Sequence, residues 1–164
     1  MAPTTTPDAR PAPPVRLHLT TPALDGAARA GRFGHGDPCP GHAGLAAPGT
    51  GDWAGRTLEE VAAEDPLGVR RWLTDPQYAP PGGGESVAAL IARTGAHLAA
   101  LPPGRHDAEV AQAVVRAAVV WALELPPAAF WRLDVRPGTV TALSGRAGRW
   151  NLRVGSPVRD CPPG

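Results

Sequence analysis

The sequence predicts an α/β protein: a three-layer α/β/α sandwich, with a mostly parallel sheet and a C-terminal antiparallel hairpin. Three observations carry this prediction. Residues 15–20 (VRLHLT) place apolar side chains at 15, 17 and 19, the period of a strand. Val87, Leu90, Ile91, Thr94, Leu98 and Leu101 follow the 3.6-residue period of a helix buried along one side. Residues 140–143 and 150–154 flank Ser144-Gly145-Arg146-Ala147-Gly148, the pattern of a hairpin with a glycine-containing loop. Strands that alternate with helices pack as layers around a sheet.

The remaining elements follow in chain order. Thr21-Pro22 reads as an N-cap followed by proline at the first helical position, opening a helix to about Arg32. Residues 34–52 are rich in glycine and proline and read as loop. Thr57-Leu58-Glu59-Glu60 is a capping box. Asp65-Pro66 is a second cap-plus-proline start, leading through Trp72 and Leu73. Glu85-Ser86 opens the periodic helix, and Pro102-Pro103-Gly104 closes it. Residues 108–125 are almost wholly apolar and too long for one strand, so a short strand at 109–111 and a helix over 113–123 are expected. Residues 131–135 read as a further strand, and Pro137-Gly138 as a turn.

Composition bounds the function. The 20 Gly and 21 Pro make a quarter of the 164 residues, and every basic residue is arginine. A net charge of +1 argues against the large basic face that a nucleic-acid footprint needs. No apolar run approaches a membrane span. Residues 1–14 read as a flexible arm without the apolar core of a signal peptide, residues 15–155 as the domain, and 156–164 as a loose tail. The cytoplasm is the default location, and two distant cysteines make no disulfide framework.

Candidate site residues are few. Ligands of open α/β sheets bind beyond the carboxyl ends of the strands. There the sequence offers Thr20, Thr21 and Gln112, with Trp53 and Glu85 nearby, as an anion or small-ligand site. The free N–H groups of a helix opening at Thr21-Pro22 would favour an anion. The plainer reading is that Thr21 caps its helix and Glu85 opens its own. Arg93 and Arg116 then read as structural residues. His35, Asp37, Cys39 and His42 are four zinc-type ligands in eight residues, all on one loop and without the usual distant second pair. No cofactor is implied. His18 reads as a hydrogen-bonded histidine inside a covered sheet, His97 and His106 as surface residues, and the five tryptophans mainly as core.

Several stretches together resemble the histidine phosphatase (phosphoglycerate mutase-like) superfamily in its actinobacterial form. They are Gly51-Asp52-Trp53-Ala54-Gly55-Arg56-Thr57-Leu58-Glu59-Glu60-Val61, and Pro81-Gly82-Gly83-Gly84-Glu85-Ser86 with Arg93 beyond it. Ala113-Val114-Val115-Arg116-Ala117-Ala118, Phe130-Trp131-Arg132-Leu133-Asp134-Val135 and Arg149-Trp150-Asn151-Leu152-Arg153 also match, and residues 15–19 fit the first strand.

The resemblance implies chemistry that this chain lacks. Members carry Arg-His-Gly after the first strand, where this sequence has Thr21-Pro22-Ala23. Their second histidine falls at Ala111, or at Gln112 with a slip of one, and their acid falls at Pro48, Gly49 or Thr50. A strand–helix unit between the first helix and Gly51, which carries a phosphate-binding arginine, is missing. Phosphoryl transfer through histidine needs that nucleophile and those cations. The expectation is a shortened, degenerate member without phosphohistidine catalysis, acting as a binding or interaction module. An apolar area bared by the missing unit would be covered by a second copy or another protein. The alternatives are an enzyme with repurposed, non-hydrolytic chemistry built on Thr21, Glu85 and Gln112, and a decayed gene product.

Overall fold

The computed structural model describes residues 13–24, 26–34 and 43–154. Strand β1 (Val15–Thr20) is central and is followed by a single helical turn, α1 (Gly26–Arg29). Two 3-10 turns (Ala43–Leu45 and Gly51–Trp53) precede α2 (Leu58–Glu64), α3 (Pro66–Thr74) and α4 (Val87–Ala99). Then come β2 (Gly104–Glu109), α5 (Gln112–Ala122), a 3-10 segment (Pro127–Arg132), β3 (Val140–Arg146) and β4 (Arg149–Arg153).

The four strands lie in the order β2-β1-β3-β4. β1 and β2 are parallel, in register from Val15 opposite Gly104 to Thr20 opposite Glu109. β1–β3 and β3–β4 are antiparallel. Three strands therefore share one direction, but the expectation of a mostly parallel sheet fails at the level of pairing. Parallel neighbours need a helical crossover, and only β1 and β2 are joined that way. Between α1 and Gly51 the described residues hold no strand beyond a single bridge, Arg32 to Thr57. This agrees with the missing strand–helix unit.

Local signals placed the helix starts well. Thr57 and Glu60 form both halves of the capping box: Glu60 N–H donates to Thr57 Oγ1 at 3.2 Å, and Thr57 N–H to Glu60 Oε2 at 2.8 Å. Asp65 Oδ1 accepts from Gly68 N–H at 2.8 Å, with Pro66 at the first position. Ser86, rather than Glu85, caps α4 by accepting from Ala89 N–H at 3.1 Å.

Three expectations are corrected. No helix opens at Pro22: Thr21 is buried, its hydroxyl donates to Arg136 O at 2.7 Å and accepts from Thr139 N–H at 3.2 Å. A hydroxyl tied to the loop before β3 cannot cap a helix. The second strand lies at Gly104–Glu109, ahead of the apolar run, because its outer neighbour is absent and its alternate residues face water. Residues 131–135 form no strand. Side chains take the carbonyls there: Arg116 Nε donates to Leu133 O at 2.9 Å, and Gln112 Nε2 donates to Val135 O.

The core lies on one face of the sheet. Leu17, Leu19, Leu143 and Trp150 meet Leu90 and Leu98 of α4 and Val114, Val115 and Ala118 of α5, all buried. The two helices approach closely at Gly95, where a Cβ would sit 2.1 Å from the Trp121 ring. A smaller cluster, Trp53, Val61 and Val69, gathers Phe33, Trp72 and Tyr78 around it. Trp72 joins the two clusters by an edge-to-face contact with Trp131, 4.4 Å between ring centres.

The opposite face is polar rather than the apolar area expected. Arg16, Arg105, Asp107, Glu109, Asn151 and Arg153 are exposed on it. His18 lies there too. It is hydrogen-bonded as expected, to Asp107 Oδ1 at 3.0 Å, but it is not in the core.

Candidate functional site

A cavity of about 490 Å³ opens beyond the carboxyl ends of β1 and β2, where open α/β sheets hold their ligands. Pro22, Ala23 and Leu24 enter it from the end of β1, and Ala111, Gln112 and Ala113 from the start of α5. Glu85, Ser86, Val87 and Leu90 come from the start of α4, and Ala47, Pro48 and Thr50 from the loop before α2. Phe33, Trp72, Phe130 and Trp131 give it aromatic walls.

Of the residues proposed from the sequence, the fold brings Glu85 and Gln112 together here. Thr20, Thr21 and Trp53 do not line the cavity. Trp53 is buried in the smaller cluster, and Thr21 is bound to the 136–139 loop. His35, Asp37, Cys39 and His42 lie outside the described residues. Among the described residues no cluster of metal-type ligands forms.

The charges at the rim are mostly matched internally. Glu85 receives a two-pronged contact from Arg93, Nε to Oε1 at 2.6 Å and Nη2 to Oε2 at 2.8 Å. Arg93 also donates to Ala43 O at 2.9 Å and Ala46 O at 2.7 Å. It staples the 43–46 turn to α4, and both oxygens of the carboxylate it holds are engaged by the guanidinium. Arg32 is engaged with Gly55 O at 2.8 Å and Glu60 at 3.5 Å.

Arg116 differs. Its Nε is fixed on Leu133 O at 2.9 Å and its guanidinium lies 5.8 Å from the Phe130 ring centre. Burial lowers its pKa, partly offset by Asp134, yet a guanidinium stays protonated. Its Nη groups have no partner among the described residues. The N-cap of α5, Ala111, supplies no side-chain bond, and Ala111, Gln112 and Ala113 at that helix start line the cavity.

The sequence reading missed Arg32, Phe33, Trp72, Phe130 and Trp131. They come from three separate segments, and only the fold unites them. The available signal was the concentration of aromatic residues beside the matched motifs.

A sheet with a parallel strand pair, extended by an antiparallel hairpin and with a cavity at the ends of that pair, defines an α/β protein with the ligand-site location of open α/β sheets. Residues 27–155 match the model of the histidine phosphatase superfamily (branch 1), and the chain belongs to that superfamily. No curated protein matches the chain by sequence. Among solved structures, the α-ribazole phosphatase from Shigella flexneri superposes with a TM-score of 0.68 at 17% identity, covering 85% of this chain and 95% of that one. Mycobacterial hydrolase 1 gives 0.65 at 18%, covering 86% and 97%. Both likenesses are of fold alone. A mycobacterial glucosyl-3-phosphoglycerate phosphatase is 30% identical over 68% of this chain and 61% of its own, with a TM-score of 0.56.

Proposed function

We propose that this chain is a superfamily member that binds a small molecule in the old catalytic cavity and does not turn over phosphate esters. The observation that carries the reading is the cavity's chemistry. Pro22 and Ala23 follow β1, Ala111 and Gln112 follow β2, and Pro48 and Thr50 line the wall. None of these can form a phosphohistidine or serve as a strong base. Among the described residues no histidine lines the cavity.

The lining instead suits a ligand with an apolar or aromatic body and one anionic group. Four aromatic rings, Leu24 and Leu90 offer the body a dry surface. Arg116 offers a cation whose outer N–H groups have no hydrogen-bond partner among the described residues. A phosphomonoester carries about two negative charges near neutral pH and calls for more cations than this wall supplies.

The test pairs an activity assay with a binding assay. Phosphomonoester hydrolysis is expected to stay at the level of heat-inactivated protein. Anilinonaphthalene sulfonate, an aromatic monoanion, is expected to bind the folded protein saturably with quenching of tryptophan emission. Arg116→Gln and Trp131→Ala should each weaken that binding. Turnover above the control overturns the non-catalytic reading. Undiminished binding in both variants overturns the assignment of the cavity.

A further inference from the structure

We propose a second binding site, for a dianionic phosphoryl or sulfuryl group, on the polar face of the sheet. It is distinct from the cavity above and does not rest on that reading. A cleft of about 310 Å³ lies there, lined by Arg16, His18, Arg105, Ala142, Ser144 and Arg153.

The strand register explains how these residues meet. Arg16 lies beside Arg105 on one side and beside Ser144 on the other. One step along, His18 lies between Asp107 and Ala142, and Ala142 is paired with Arg153. Small side chains, Ala142 and Ser144, thus form the floor between longer basic ones. Placing Arg16 directly beside Arg105 is unfavourable by itself, because like charges on adjacent strands repel. An anion held between them reverses the sign of that interaction.

The charge balance sets the ligand class. Asp107 is gripped by Arg105, Nε to Oδ2 at 2.8 Å and Nη2 to Oδ1 at 3.0 Å, and touches His18 Nδ1 at 3.0 Å. Three guanidiniums less one carboxylate leave two positive charges, the imidazole not being counted. Arg16 and Arg153 have no ion-pair partner among the described residues. Guanidinium forks suit tetrahedral oxyanions, whose oxygens accept in pairs. The Ser144 hydroxyl supplies a further donor.

The experiment is a calorimetric titration of the full chain with sodium sulfate and with inorganic phosphate, at constant ionic strength against sodium chloride. One saturable site per chain is expected for both oxyanions and none for chloride. Arg16→Gln and Arg153→Gln should each weaken sulfate binding by about tenfold, as for loss of one charge-assisted contact. Arg116→Gln should leave it unchanged. Both altered arginines are exposed, so the ligand-free variants should melt no lower than the parent. Circular dichroism checks that they are folded. Absence of saturable binding in the parent overturns the proposal, as does full affinity in the folded double variant. A heat that sulfate and chloride share equally also overturns it, since that is screening alone. If Arg16→Gln fails to fold, Arg153→Gln on the outer strand decides the matter by the same criterion.

Discussion

Leu17 and His18 are neighbours on β1 and meet opposite surroundings. Leu17 points into the layer of α4 and α5 and is 1% exposed. His18 points to the polar face, and 30% of its side chain is exposed. The same division separates the two cavities. At the strand ends the walls are aromatic and the rim charges are largely neutralised within the protein. On the polar face the walls are basic, and Arg16 and Arg153 lack ion-pair partners among the described residues. Burial explains the difference. Charges inside the layered half tend to be paired there, as Arg93 is with Glu85, with Arg116 the exception held by a carbonyl and a ring. A charge on the wet face needs none, so it is left available to a ligand.

The steepest test of this division is a pair of alanine substitutions at adjacent positions. Leu17→Ala removes a fully packed side chain and should cost about 2–5 kcal/mol. His18→Ala should cost less than about 1 kcal/mol, since it removes a partly exposed pair. Urea denaturation of the two variants measures both. Equal losses would mean that the polar face is structural and the contrast is false.

The second test concerns the Glu85–Arg93 fork, whose side chains are 20% and 26% exposed. Glu85→Gln leaves Arg93 partly held by Ala43 and Ala46 but deprives it of a carboxylate. A loss of about 1–2 kcal/mol is expected, in the range of charge-assisted bonds with some solvent screening. Affinity of the cavity for an anionic probe should rise, because a negative rim charge is gone. Unchanged stability together with a loss of some catalytic activity would instead make Glu85 a base, the role the geometry argues against.

These residues also mark what the sequence could reveal. Thr57, Asp65 and Ser86 cap helices through partners three residues away, so their roles were legible from spacing alone. Thr21 was misread because its partners, Arg136 and Thr139, lie more than a hundred residues on. No local rule announces such a bond. β2 escaped because strand recognition relies on an apolar alternation, and a strand with one open edge and one wet face carries little of it. Residues 131–135 looked like a strand by composition, yet Arg116 and Gln112 claimed their carbonyls. The cavity followed the same logic. Glu85 and Gln112 were reachable through the family motifs, whereas Trp72 meets Trp131 only after the chain has folded.

A smaller effect tests the buried side alone. Thr94 is fully buried on α4, and its hydroxyl has no hydrogen-bond partner among the described residues. Thr94→Val keeps the shape and removes the unmet donor. It should raise stability by about 1 kcal/mol, the scale of an unsatisfied buried polar group. A melting temperature that falls instead would place a bound water or a backbone carbonyl on that hydroxyl.

The smallest effect belongs to Asp107 and carries a sign. Its contact with Arg105, and secondarily with His18, holds its pKa below the ordinary carboxylate value. A carboxyl with a depressed folded pKa stabilises the protein above its unfolded pKa, about 3.9, and loses that contribution as pH falls through the folded value. Melting curves of the parent and of Asp107→Asn should therefore separate above about pH 4 and converge in stronger acid. Because the group is exposed, high salt should narrow the gap. The same variant bears on the basic cleft. Removing the carboxylate leaves three uncompensated guanidiniums, so sulfate should bind more tightly to Asp107→Asn than to the parent. Weaker binding would mean that Asp107 is needed to orient Arg105, and that the cleft works by geometry more than by net charge.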